Sequence, residues 1–158
     1  VPALLKDIGF IVGYRGQEGV MLLEHPELLI EFLVPERGRG GAGVRNLPQL
    51  GVNAQPLRFM DVALMNTIQL PFEDIPVTAP HPAAFALHKL LIIPRRKKIE
   101  KKQKDMDTAF LLLERLEKKH EIHVAQELLA QFPQPWTKLI SDILFRNGKS
   151  SIAEMLGY

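Results

Sequence analysis

The chain of 158 residues contains no cysteine. This excludes disulfides, thiolate zinc sites and cysteine nucleophiles, and it suits a reducing compartment, so a cytoplasmic protein is expected. Long hydrophobic runs are also missing. The most apolar stretch, 28–34, is interrupted by Glu31 and falls far short of the ~20 residues that span a bilayer. The opening Val1-Pro2-Ala3-Leu4-Leu5-Lys6-Asp7 has neither the charged start nor the apolar core of a signal peptide. No membrane partner is therefore expected. The only serines are Ser141, Ser150 and Ser151, with no G-x-S-x-G elbow around them, which argues against serine-hydrolase chemistry. Net charge is small at +2, so global charge does not mark a nucleic-acid binder.

What is present suffices for one modest domain, or for a sheet unit with a helical appendage. Hydrophobic residues make up 46% of the chain, enough for a core. The pattern predicts an α+β fold: a partial mixed sheet over 1–79, then a helical region over 80–158. Strands are expected at 10–14, 20–24 and 28–34, joined by short turns as an antiparallel meander. The third is nearly all apolar and is expected to be central. A glycine- and arginine-rich loop should follow over 35–46, then extended chain at 47–54, a short helix at 56–65 and extended chain again at 69–78. Helices are expected at 82–93, 97–118, 121–131, 136–146 and 149–156. In the longest, Ile99, Met106, Phe110 and Leu113 recur as an apolar seam.

Two motifs are decoys. Gly38-Arg39-Gly40-Gly41-Ala42-Gly43 matches G-x-G-x-x-G, but Val44-Arg45-Asn46-Leu47-Pro48 cannot open the helix a dinucleotide fingerprint needs. A surface loop is the better reading. His120 and His123 lie three apart with Glu117, Glu121 and Glu127 near them, yet no third histidine completes a zinc signature.

Two other features bear on chemistry. Glu31 sits inside an apolar strand, where an unpartnered buried carboxylate costs several kcal/mol. It must face solvent, pair with a base or ligate a metal. From 95 to 104, seven of ten residues are basic and only Glu100 is acidic. Lys97, Lys101 and Lys104 are spaced to share one helix face, where like charges repel and a polyanion would relieve them. The bland alternative is a solvated helix face.

Taken in order, these residues resemble a known family. The segments are Leu29-Ile30-Glu31-Phe32-Leu33, Val34-Pro35-Glu36-Arg37-Gly38, and the run from Leu50-Gly51-Val52-Asn53 into Gln55-Pro56-Leu57-Arg58-Phe59. Then come Pro80, Phe85-Ala86-Leu87-His88-Lys89-Leu90, Arg95-Arg96 and Lys104-Asp105. The chain resembles, over 1–116, a bacterial family of nucleotidyltransferase-fold proteins within the DNA polymerase beta-like superfamily. The resemblance implies transfer of a nucleotidyl group from an NTP to an acceptor, which would be a nucleic acid or a protein, with magnesium as cofactor. It implies Glu31 as catalytic carboxylate and metal ligand, and Lys89, Arg96, Lys104 and Asp105 as nucleotide-binding residues. The superfamily's elements of a Gly-Ser turn followed by Asp-x-Asp on a strand are not found in this chain. They are expected before Val1, unless the chain is a degenerate member.

Two rival readings make different demands. A non-catalytic nucleic-acid-binding module would grip its ligand through 95–104 and be indifferent to Glu31. A toxin–antitoxin-like interaction module would expose an apolar patch around Phe132, Trp136, Leu139 and Ile143.

Overall fold

Glycine at two turn positions lets the first strands fold back on each other. After the short helix α1 (Pro2–Lys6), strand β1 (Ile11–Arg15) pairs antiparallel with β2 (Val20–Glu24), and β3 (Leu29–Glu31) adds to the far side of β2. Gly16 and Gly19 take the β1–β2 turn at φ 72° and 65°, where a side chain would strain the backbone. The expected meander is present, with β2 at its centre and Val20, Leu22 and Leu23 buried. The structure is a computed structural model and describes residues 1–36 and 43–158. Of the glycine- and arginine-rich loop expected over 35–46, residues 37–42 lie outside the described residues, and its two ends belong to strands, Leu33–Pro35 and Arg45–Leu47.

The stretch 28–34 is not the single central strand its composition suggested. It breaks at Phe32 into β3 and β4 (Leu33–Pro35), and each half takes an edge. β4 pairs parallel with β6 (Val52–Leu57), which also pairs antiparallel with β5 (Arg45–Leu47). At the break, the Gln55 amide donates to the Phe32 carbonyl at 2.8 Å, so hydrogen bonding passes from one sheet to the next. Edge placement explains why Leu28 and Leu29 remain about half exposed despite their apolar neighbours. Asn53 fastens the two sheets. Its Oδ1 accepts from the Met21 amide at 2.6 Å, and its Nδ2 donates to the Gly19 carbonyl at 2.8 Å.

The helix expected at 56–65 is shorter, because Pro56 and Leu57 belong to β6. A proline is tolerated there since β5 pairs only with residues 52–54, leaving β6 one neighbour at Pro56. Helix α2 (Met60–Leu64) starts only after Phe59, which turns the chain at φ 58°.

By contact density the chain forms two units, Val1–Met60 and Asp61–Tyr158. In the second, the extended segment after α2 folds as a hairpin of β7 (Thr67–Phe72) and β8 (Ile75–Pro80). Helix α3 (Pro82–Ile92) then begins with Pro82 at its first turn and the His81 imidazole accepting from the Ala83 amide at 3.1 Å. It is apolar nearly all round and is the centre of this unit, packing against α4 (Ile99–Lys118), α5 (Ile122–Leu129) and α6 (Gln134–Arg146). Ala83, Ala84, Ala86, Leu87 and Leu90 are completely buried, and Leu91 nearly so. Helix α7 (Ser150–Met155) closes the element order.

The buried seam of α4 is Met106, Ala109, Phe110, Leu113 and Leu116, at helical spacing. Ile99 does not belong to it. It is 84% exposed, because it is the first residue of α4 and precedes the turns that meet the core. Lys97 also precedes the helix, so the expected Lys97–Lys101–Lys104 stack is reduced to its last two members. The patch proposed around residue 136 is not exposed either. Phe132 and Ile143 are buried, Trp136 and Leu139 are half-buried, and Phe132 meets Trp136 edge-on at 5.6 Å. The architecture is α+β, small sheets followed by a helical region. Among the described residues, no helix is long and apolar enough to cross a membrane.

Candidate functional site

Pro94 organises the candidate site. Lacking an amide hydrogen, it cannot continue α3, and the chain leaves through a 3₁₀ turn at Ile93–Arg95. That turn brings Arg96 back beside Lys89, on the last turn of α3. Asp105, in the second turn of α4, faces both. Lys89 Nζ donates to Asp105 Oδ1 at 2.6 Å and Arg96 Nε donates to Oδ2 at 2.5 Å. Both carboxylate oxygens are thus held by cations from two different elements. The Asp105 side chain is only 5% exposed, against 20% for Lys89 and 30% for Arg96. Burial pushes the Asp105 carboxyl up. The hydrogen bonds and charges of Lys89 and Arg96 outweigh it and hold the group below the ordinary carboxylate range.

Three of the four nucleotide-binding candidates are therefore one cluster. The fourth, Lys104, stands exposed beside it on α4. Phe85 was not singled out from the sequence, yet Lys89 Nζ lies 5.0 Å from its ring centroid. Spacing of four on a helix was the available signal. His88, the other half of the His-Lys pair, is buried at 4% exposure and faces the core instead of the cluster's solvent side.

The arrangement can present cations to an anion. Arg96 meets Asp105 through Nε, so its two terminal nitrogens remain available as a planar donor pair. Lys89 has three ammonium hydrogens, of which Asp105 takes one. A buried carboxylate that orients two part-exposed cations clamps α3 to α4 and leaves their remaining donors open to an anion.

Glu31 lies in the other unit, at the end of β3 on the edge of the first sheet. Its carboxylate accepts a hydrogen bond from Arg15 on β1. The register puts Gly13, Arg15, Val20, Leu22, Glu24, Leu29 and Glu31 on one face. Glu24, which the sequence reading passed over, is a diagonal neighbour of Glu31 across the β2–β3 pair, about 7–8 Å apart by backbone spacing. Its carboxylate lies where a Cβ on Gly13 would be, 2.9 Å from that position. Arg15 engages Oε1 of Glu31 and leaves Oε2, so magnesium at Glu31 would share the carboxylate with a guanidinium. Among the described residues no group of three histidine or carboxylate side chains could hold a metal ion. The residues described here do not by themselves fit the magnesium site that the resemblance implies.

Comparison with protein families matches residues 12–131 to the family described as Nucleotidyltransferase. No curated protein matches the chain, and no solved structure matches it.

Proposed function

The chain belongs to this nucleotidyltransferase family, and from that premise we propose that it serves transfer of a nucleotidyl group from an NTP to an acceptor hydroxyl. In this reading Lys89, Arg96 and Lys104 meet the NTP phosphates, and Asp105 positions the first two. The observation that carries the reading is the buried Asp105 carboxylate, which fixes Lys89 and Arg96 while leaving donors on both.

In such a transfer the acceptor oxygen attacks the α-phosphorus. The bond from that phosphorus to the bridging oxygen breaks, pyrophosphate leaves with the electron pair, and the hydroxyl proton passes to solvent. Negative charge grows on the pyrophosphate. Preoriented cations stabilise it more than mobile ones, because no reorganisation is needed at the moment of reaction. Magnesium has the same role in the reading the resemblance implies, with Glu31 as its proposed ligand. In the free protein that carboxylate is bonded to Arg15 through Oε1.

The test uses the full chain with each NTP, labelled on the α-phosphate, and follows binding by calorimetry and label transfer by gel. Arg96→Ala and Lys104→Ala should each weaken NTP binding about 10- to 100-fold, the equivalent of one charge-assisted hydrogen bond. Unchanged binding in both variants would sink the site assignment. Transfer retained in Glu31→Gln would remove Glu31 from the chemistry, and transfer lost with NTP binding intact would keep it there.

A further inference from the structure

Beyond the cluster, Lys97, Lys98 and the first turns of α4 carry lysines that no carboxylate neutralises among the described residues. Lys97, Lys98, Lys101, Lys102 and Lys104 are all exposed. None of their ammonium groups meets a carboxylate among the described residues. Glu100 is the only acidic residue from 95 to 104, and the whole chain carries only +2, so the excess is local. At an ionic strength of about 0.1 M the screening length is about 10 Å, close to the axial rise of these positions, so their fields add.

We propose that this ridge docks the phosphate backbone of a nucleic acid strand, and that the strand is the acceptor. The second half rests on the transferase reading above; the first does not. Geometry separates a strand from a compact anion. Lys101 and Lys102 point about 100° apart around the helix axis, so Lys101 with Lys104 makes one row and Lys102 stands on another, with Lys98 at the N-cap ahead of both. One mononucleotide reaches a subset of these, whereas a strand crossing the helix meets both rows. Chemistry separates a strand from a membrane. A helix lying on lipid needs a free apolar face. That of α4 is buried in the protein through Met106, Ala109, Phe110, Leu113 and Leu116, leaving Ile99 as the single apolar side chain among the lysines.

The experiment measures binding of the full chain to a fluorescein-labelled, mixed-sequence RNA longer than the ~16 nucleotides one single-strand-binding fold covers. Without NTP, when Lys104 is open to the strand, five phosphate contacts predict a slope of log K against log salt of about −3.5, or about 100-fold weaker binding at ~200 mM than at ~50 mM salt. The variant Lys98→Glu/Lys101→Glu/Lys102→Glu should flatten the slope to about −1.4. It should leave NTP binding unchanged, and an unaltered urea midpoint would show that it is folded. Lys98→Gln/Lys101→Gln/Lys102→Gln gives the same comparison without added negative charge. No binding, or binding that ignores both variants, overturns the proposal. So does a preference for phosphatidylserine vesicles over RNA, which would reassign the ridge to lipid. Binding that follows the predicted slope without label transfer to the RNA refutes the acceptor role and keeps the docking surface. Absence of transfer to any acceptor refutes the transferase reading instead.

Discussion

Removing the Asp105 carboxylate should cost more stability than its single position on a surface-rich helix suggests. Asp105→Ala eliminates two charge-assisted hydrogen bonds, from Lys89 and Arg96, each worth about 1.5–3 kcal/mol. It also leaves two cations facing each other with nothing between them. Both are part-exposed, at 20% and 30%, so water recovers some of the loss and the lower end of each range applies. The expected cost is about 3 kcal/mol, at the edge of the range for breaking a buried pair. With a urea dependence of about 2 kcal/mol per molar, the unfolding midpoint should fall by about 1.5 M. Asp105→Asn keeps one acceptor and should lose about half as much. The pH dependence has a definite sign. Asp105 is held below its ordinary carboxylate range when folded, so its contribution is complete above the unfolded value of 3.8 and is lost as pH falls through the lower folded value. Wild type and Asp105→Asn should therefore converge in stability only in strong acid. A second cycle with Lys89→Met isolates the pair, and the double variant should lose about 1 kcal/mol less than the sum of the singles. A loss under about 0.5 kcal/mol in Asp105→Ala, the size of an ordinary surface change, would refute the clamp.

Two further outcomes follow from other parts of the fold. Asn53→Ala removes the side-chain bonds to Met21 and Gly19 and should destabilise the first unit by about 1–3 kcal/mol, with faster hydrogen exchange at the Met21 amide; unchanged exchange there would show that the two sheets do not depend on it. The Tyr158 hydroxyl is buried with no hydrogen-bond partner among the described residues, and burial pushes its pKa up to about 12. The stability tied to its neutral form is intact below about pH 10 and is lost as pH rises towards 12. Tyr158→Phe should thus be neutral or slightly stabilising at pH 7 and should resist alkaline unfolding better than wild type, as read by circular dichroism.

Much of the local structure was legible because each signal is carried by a few adjacent residues. The meander shows in alternating strands and glycine turns, and α3 shows in Pro82 followed by a long apolar helix. Lys89, Arg96 and Asp105 were legible as a basic-acidic block. Their meeting at one carboxylate was not, since it depends on how Pro94 redirects the chain between two helices. Glu31 shows the opposite failure. Its apolar neighbours implied a central strand, and nothing local reveals that Phe32 would hand hydrogen bonding to a second sheet and leave both halves at edges.

The sequence by itself determined what can be counted or read over a turn or two. This covers the lack of thiol chemistry, the order of strands before helices, the apolar seam of α4 from Met106 onward and the cationic run at 95–104. Those properties depend on side-chain chemistry and on helix or strand periodicity, both local. Tertiary structure alone decided which charges are neutralised and which are left to solvent. Arg96 is bound to a buried carboxylate nine residues away, while Lys101 and Lys102 on the adjoining helix meet none among the described residues. Electrostatic pairing acts over a few ångströms of space, and only the packing of α3 against α4 brings Asp105 within that distance of Lys89 and Arg96.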